Sequence, residues 1–66
     1  MKNKIRIERA IKNITQEDLA KKVSVTRQTI NAMEANKYVP STVLALKIAK
    51  VFNKMVEDIF MLESSD

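Results

Sequence analysis

Glycine is absent from this 66-residue chain, and proline occurs once, at Pro40. With so few backbone breakers, no low-complexity linker and no internal repeat, the chain reads as one compact helical unit over residues 1–66. A unit this small buries only about 60% of the surface its unfolded form exposes. Its stability is therefore marginal, and pairing with a second copy is one source of support.

Apolar periodicity divides the unit into five segments. Ile5, Ile7, Arg9 and Ile11, with Ala10 and Ile14, fit a first helix from near Lys4 to Asn13. Thr15 is an N-cap residue and Asp18 completes a short capping box, so a second helix runs from Gln16 to Val23 with Leu19, Ala20 and Val23 inward. Ser24, Val25 and Thr26 make a tight link. Thr26 then caps a third helix from Arg27 to about Ala35, whose inward residues are Ile30 and Met33. After a loop from Asn36 to Val39, Pro40 and Ser41 open a fourth helix in which Leu44, Ala45, Ile48, Ala49 and Phe52 form the clearest apolar stripe of the chain. Asn53 suits the left-handed conformation that ends a helix. Val56 to Phe60 then forms a short fifth helix burying Val56, Ile59 and Phe60, and the tail from Met61 to Asp66 is expected to be extended or loose.

Composition narrows the function. The chain has no Cys and no His, so it lacks disulfides, thiolate and imidazole metal ligands, and the usual nucleophile and general base. No metal site and no cofactor is expected. No carboxylate pair or phosphate-cradling loop gives an enzyme reading another footing. No apolar run approaches the roughly 20 residues that span a bilayer, and the N-terminus has no signal-peptide pattern. No membrane partner and a cytoplasmic location are therefore expected.

The net charge of +4 is unevenly spread: residues 1–37 hold nine Lys or Arg against four acids, and residues 38–66 hold three against four. The basic half is the side to face a polyanion. A solvating surface charge is the competing explanation.

Residues 16–35 have the parts of a helix-turn-helix: a short helix, a three-residue turn, and a second helix with a polar first turn. Arg27, Gln28, Thr29 and Asn31 lie on the outward side of that second helix. These side chains suit the base edges of double-stranded DNA. Arg bonds guanine O6 and N7, Gln bonds adenine N6 and N7, and Thr offers a methyl for thymine and a hydroxyl. Gln16 opens a helix whose free N–H groups and positive dipole end favour a phosphate. Each piece alone is equally ordinary capping and surface chemistry; the combination is more specific than its parts.

Gln16-Glu17-Asp18-Leu19-Ala20, Val25-Thr26-Arg27-Gln28-Thr29-Ile30 and Met33-Glu34 together resemble the phage-repressor/Cro-like (Xre) helix-turn-helix family. The likeness extends through Asn36 to Ser41, Leu44 to Ala49 and Glu57 to Phe60, as in small stand-alone dimeric members such as the cytolysin repressor. The resemblance implies an all-α, five-helix lambda-repressor-like DNA-binding domain acting as a homodimer, with the helix from Arg27 in the major groove. It also implies a salt bridge between Arg9 and Glu34 that ties this helix to the scaffold. Phosphate binding or solvent exposure are the alternatives for Arg9. In such small members the termini pair as a short two-stranded sheet, which here brings Lys2–Lys4 beside Met61–Glu63.

Three positions depart from the family pattern. Ser24 and Asn36 stand where Gly is common, and Met55 where Ser or Thr usually caps the fifth helix. Asn36 tolerates a left-handed backbone, whereas Ser24 costs up to about 1–2 kcal/mol if its φ is positive.

Phosphate contacts are expected from Gln16 and Thr26 and from the loop of Asn36, Lys37 and Tyr38. For Tyr38 a simple loop anchor is an equal alternative. Val43, Leu46, Met61 and Leu62 have no burial site within the chain and are expected to form a dimer surface, scattered exposure being the alternative. The expected activity is sequence-specific regulation of transcription by a repressor on a palindromic operator, with no small-molecule ligand implied. An antitoxin or adaptor that uses the fold chiefly to hold a protein partner is the alternative.

Overall fold

A computed structural model describes residues 1–66. The order of elements is β1 (Lys2–Asn3), α1 (Ile5–Lys12), α2 (Gln16–Val23), α3 (Arg27–Glu34), α4 (Thr42–Phe52), α5 (Val56–Ile59) and β2 (Phe60–Met61). Five helices with a small terminal sheet make this a predominantly α-helical fold of the helix-turn-helix kind.

Polar side chains start these helices. Thr15 Oγ1 accepts from the Asp18 N–H while Asp18 Oδ2 accepts from the Thr15 N–H, both at 3.0 Å. Thr26 Oγ1 caps α3 through the Thr29 N–H, and Ser41 Oγ caps α4 through the Leu44 N–H, both at 3.2 Å. At α5 the Met55 thioether caps nothing. The Met55 N–H still donates to Asp58 Oδ2, so the carboxylate half of a capping box is made.

The first four helices close alike without a single glycine. Asn13, Ser24, Asn36 and Asn53 take φ of 58°, 61°, 60° and 53°. Each sits inside a bond from the following N–H back to the helix: Ile14 to Arg9, Val25 to Ala20, Lys37 to Ala32 and Lys54 to Ala49. This is the Schellman closure, which needs a left-handed residue just past the helix. Asparagine enters that region more readily than most non-glycine residues, and serine lacks the advantage.

One cluster of thirteen apolar residues forms the core, with Ile5, Leu19, Ile30, Met33, Ile48 and Ile59 fully enclosed. Burying each such side chain is worth about 1.5–3 kcal/mol. All the inward residues expected of the second, third and fourth helices belong to it. The first helix is different: Ile7 and Ile11 are exposed, and α1 buries Ile5 and Glu8 instead. Glu8 is held by Lys54 at 2.7 Å, an ion pair formed across 46 residues of sequence.

The termini pair antiparallel, Lys2 opposite Met61 and Asn3 opposite Phe60, and the Lys4 N–H continues the ladder to the Ile59 carbonyl. The second strand therefore begins at Phe60, the residue expected to end the fifth helix. Phe60 remains buried, but with the extended φ of −112° and ψ of 132° that strand pairing requires. The last residues are tied back as well. The Glu63 N–H donates to Asp66 Oδ2, and the Met1 ammonium meets Glu63 and Asp66 at 3.2 Å.

Candidate nucleic-acid interface

α2 and α3 are joined by Ser24, Val25 and Thr26, with Thr26 already acting as the cap of α3. Its hydroxyl lies 3.0 Å from that of Thr29, so the two hydroxyls engage each other, and Thr29 is half-buried. Arg27 and Gln28, between them, are exposed and bond to nothing in the chain. The first turn of α3 is thus a fixed cap from which two long polar side chains reach into solvent. An open cleft of about 430 Å³ carries this turn across to the start of α2, with Arg9, Thr15, Gln16 and Arg27 on its walls.

Behind the cleft a polar network converges on Glu34, whose side chain is 1% exposed. Arg9 donates from Nε to Oε2 at 2.7 Å and from Nη2 to Oε1 at 3.1 Å, and its Nη1 donates to the Ile14 carbonyl. Gln16 Nε2 donates to Glu34 Oε1 at 3.2 Å and to Asn31 Oδ1 at 3.3 Å. Arg6, largely in solvent, reaches the same carboxylate at 3.5 Å. Burial by itself pushes the Glu34 carboxyl up, but the bonds from Arg9 and Gln16 outweigh it and hold the group below its ordinary value. The bond to Glu34 likewise holds the Arg9 guanidinium protonated.

The residues singled out in the sequence fall into three places. Arg27, Gln28, Thr29 and Asn31 share the open side of α3, with the Asn31 oxygen already taken by Gln16. Gln16 is turned toward α3 by its carboxamide, leaving its backbone N–H among the free donors that open α2. Asn36, Lys37 and Tyr38 follow α3 as an exposed loop, and the Tyr38 hydroxyl makes no bond within the chain.

The apolar residues lie elsewhere. Val43, Leu46 and Leu62 are 62%, 56% and 83% exposed. Met61, expected to lack a burial site, is instead half-buried, drawn into β2 by its pairing with Lys2.

A helix-turn-helix family model matches residues 5–59, a span that contains α1 to α5 entire. The chain belongs to the Xre-like helix-turn-helix family. It is 58% identical over 66 residues to an uncharacterised HTH-type transcriptional regulator of Methanocaldococcus jannaschii, covering the whole of both chains. An uncharacterised HTH-type regulator of Bacillus subtilis, YgzD, is 50% identical, again over the whole of both chains. A third, from Archaeoglobus fulgidus, is 50% identical over the whole of this chain and 93% of its own. These relatives and the family are transcriptional regulators, not enzymes.

Two parts of this helix-turn-helix domain escape a reading of the sequence. The Gln16 link to Asn31 joins a residue expected at phosphate to one expected at a base, and no spacing rule within either helix points to it. Asn3 donates from Nδ2 to the Met33 carbonyl at 2.7 Å, reaching the end of α3 from the start of the chain. Only the tertiary fold brings these groups together.

Proposed function

We propose that this protein is a sequence-specific regulator of transcription that binds double-stranded DNA, acting in the cytoplasm as a homodimeric repressor with residues 1–66 as one domain. α3 lies in the major groove of each half-site. Arg27 and Gln28 read base edges, Thr29 offers its methyl because its hydroxyl is engaged with Thr26, and Asn31 offers its amide nitrogen. Phosphates are met by the Gln16 backbone N–H, by Thr26 and by the loop of Asn36, Lys37 and Tyr38.

The observation that carries this reading is the pair of exposed, unbonded side chains, Arg27 and Gln28, on a turn whose threonines are locked. The exposure of Val43, Leu46 and Leu62 supports a contact between two copies. Such a dimer spans half-sites about one helical turn, some 34 Å, apart on a palindrome, and bound there it blocks polymerase.

Binding to duplexes selected from a random pool, and to unselected duplexes, over a range of salt tests the reading. The expected result is a steep fall of log affinity with log salt and at least ~10³-fold preference for one sequence. Equal affinity for all duplexes overturns it. The dimer is tested apart from this by mass in solution: Leu46→Glu should give a monomer that has lost most of its operator affinity. A wild-type chain that stays monomeric at micromolar concentration on and off DNA overturns the dimer.

A further inference from the structure

Asn3 lies outside the elements proposed to face DNA, yet its side chain is fully committed. Its Oδ1 accepts from the Ile5 N–H at 3.2 Å. Its Nδ2 donates to the Met33 carbonyl at 2.7 Å and reaches Asn36 Oδ1 at 3.4 Å. The backbone leaves no choice about which way round the Asn3 amide sits. The Ile5 N–H is only a donor, so the atom it meets is the Asn3 oxygen; the Met33 carbonyl is only an acceptor, so the atom it meets is the Asn3 nitrogen. The second hydrogen on that nitrogen then points to the Asn36 oxygen at 3.4 Å, with the Asn36 amide nitrogen on the outer side.

Asn36 is the left-handed residue that closes α3, at φ 60°, and its own N–H also returns to the Met33 carbonyl at 3.0 Å. Met33 is therefore a shared anchor for the start of the chain and for the loop of Asn36, Lys37 and Tyr38. Asn3 in turn is held by strand pairing with Phe60. The Asn3 side chain therefore ties the terminal sheet, in which Asn3 lies opposite Phe60, to the end of α3 and the loop beyond it.

Resting on the DNA-binding reading, we propose that Asn3 is a positioning residue for that loop: it turns the Asn36 carboxamide so that its two N–H donors face the phosphate backbone, without touching DNA itself. An amide rotated the other way presents its oxygen to a phosphate and repels it. Because the contact is to phosphate, Asn3 affects all sequences equally and leaves base preference alone.

The test is a double-mutant cycle of Asn3→Ala and Asn36→Ala, read as affinity for the selected operator and for a random duplex, well below the melting temperature of each variant. Asn3→Ala should weaken both duplexes by the same factor, about three- to tenfold, as expected for one hydrogen bond. In the Asn36→Ala background Asn3→Ala should have no further effect, whereas a merely structural loss would multiply through. Affinity within about twofold of wild type, or independent effects of the two substitutions, overturns the proposal.

Side-chain amide NMR of the wild-type protein tests it without any variant. The Asn3 NH2 should exchange slowly, while the Asn36 NH2 exchanges fast and shifts when operator is added. An Asn36 amide that ignores the operator overturns the proposal even if Asn3→Ala fails to fold. Wild-type protein that binds no duplex overturns the DNA-binding reading itself; wild-type binding with an unaffected Asn3→Ala overturns only the role of Asn3.

Discussion

Arg9 and Glu34 are joined by two hydrogen bonds, one from Nε at 2.7 Å and one from Nη2 at 3.1 Å, at a site where Glu34 is all but enclosed. The pair fastens α1 to the last residue of α3. Two charges removed from water lose much of their mutual attraction to desolvation, whereas removal of Arg9 leaves the enclosed Glu34 carboxylate with only Gln16 and the largely solvated Arg6 as donors. Arg9→Ala should therefore cost up to about 3–5 kcal/mol, a large part of the stability of a domain this small. Arg9→Met combined with Glu34→Leu should recover most of that loss, since no charge is then stranded. Urea unfolding of the single and double variants decides it; a double variant no more stable than Arg9→Ala would show that the pair stabilises in its own right.

Acid should loosen the same network. Burial raises the Glu34 carboxyl, but the bonds from Arg9 and Gln16 prevail and keep it below its ordinary value of 4.5. A carboxyl depressed on folding contributes stability that is complete above its unfolded value and is lost as pH falls through its folded value. Asp18, held down chiefly by the Thr15 N–H, acts in the same direction. Thermal melts should be level from about pH 7 to about 5 and fall below that, and Glu34→Gln should have a shallower acid limb than the parent. Parallel acid limbs would remove Glu34 from the account.

The left-handed closure at Ser24 is the least comfortable of the four. Its φ of 61° is one that serine adopts at a cost of about 1–2 kcal/mol, while asparagine at Asn13, Asn36 and Asn53 adopts it more readily. Ser24→Gly removes that cost but widens the unfolded ensemble by roughly 0.5–1 kcal/mol. A net gain of about 0.5–1 kcal/mol should remain, raising the melting temperature by a few degrees, about 4–8 °C per kcal/mol. Asn53→Gly should gain less. Calorimetry on the two variants checks the order, and an equal or larger gain at Asn53 contradicts it.

Much of this fold is legible because its signals are local. Thr15, Thr26 and Ser41 each cap a helix three residues before the N–H they satisfy, and the stripe from Leu44 to Phe52 repeats at the helical period. Local periodicity misleads at α1, where Ile7 and Ile11 suggest an inward face that the core does not use. Glu8 takes part of that place because Lys54 arrives beside it from the end of α4, and nothing near Glu8 in sequence announces Lys54. Spacing from Val56 makes Phe60 look helical, yet pairing with Asn3, near the other end of the chain, draws it into a strand. At the interface, the outward set on α3 follows from one helix alone, while the joining of Gln16 to Asn31 and of Asn3 to Met33 depends on how separate elements meet.

Base reading and phosphate binding should separate at Gln28 and Lys37. Gln28 stands exposed in the first turn of α3, where a bidentate bond to adenine is worth about 1–3 kcal/mol of discrimination. Lys37 lies beyond the closure of α3, bound to the helix only by its backbone N–H to Ala32, with its side chain in solvent. Gln28→Ala should weaken the selected operator by about 1–3 kcal/mol, relax one base position and leave the salt dependence unchanged. Lys37→Ala should weaken operator and random duplex alike and reduce the slope of log affinity against log salt by about 0.9, the share of one neutralised phosphate. Titrations of both variants against operator, point-substituted operators and random duplex at several salt concentrations measure all three quantities. Gln28→Ala acting on every sequence equally would move that side chain from the bases to the backbone, and an unchanged salt slope for Lys37→Ala would take the loop away from the phosphates.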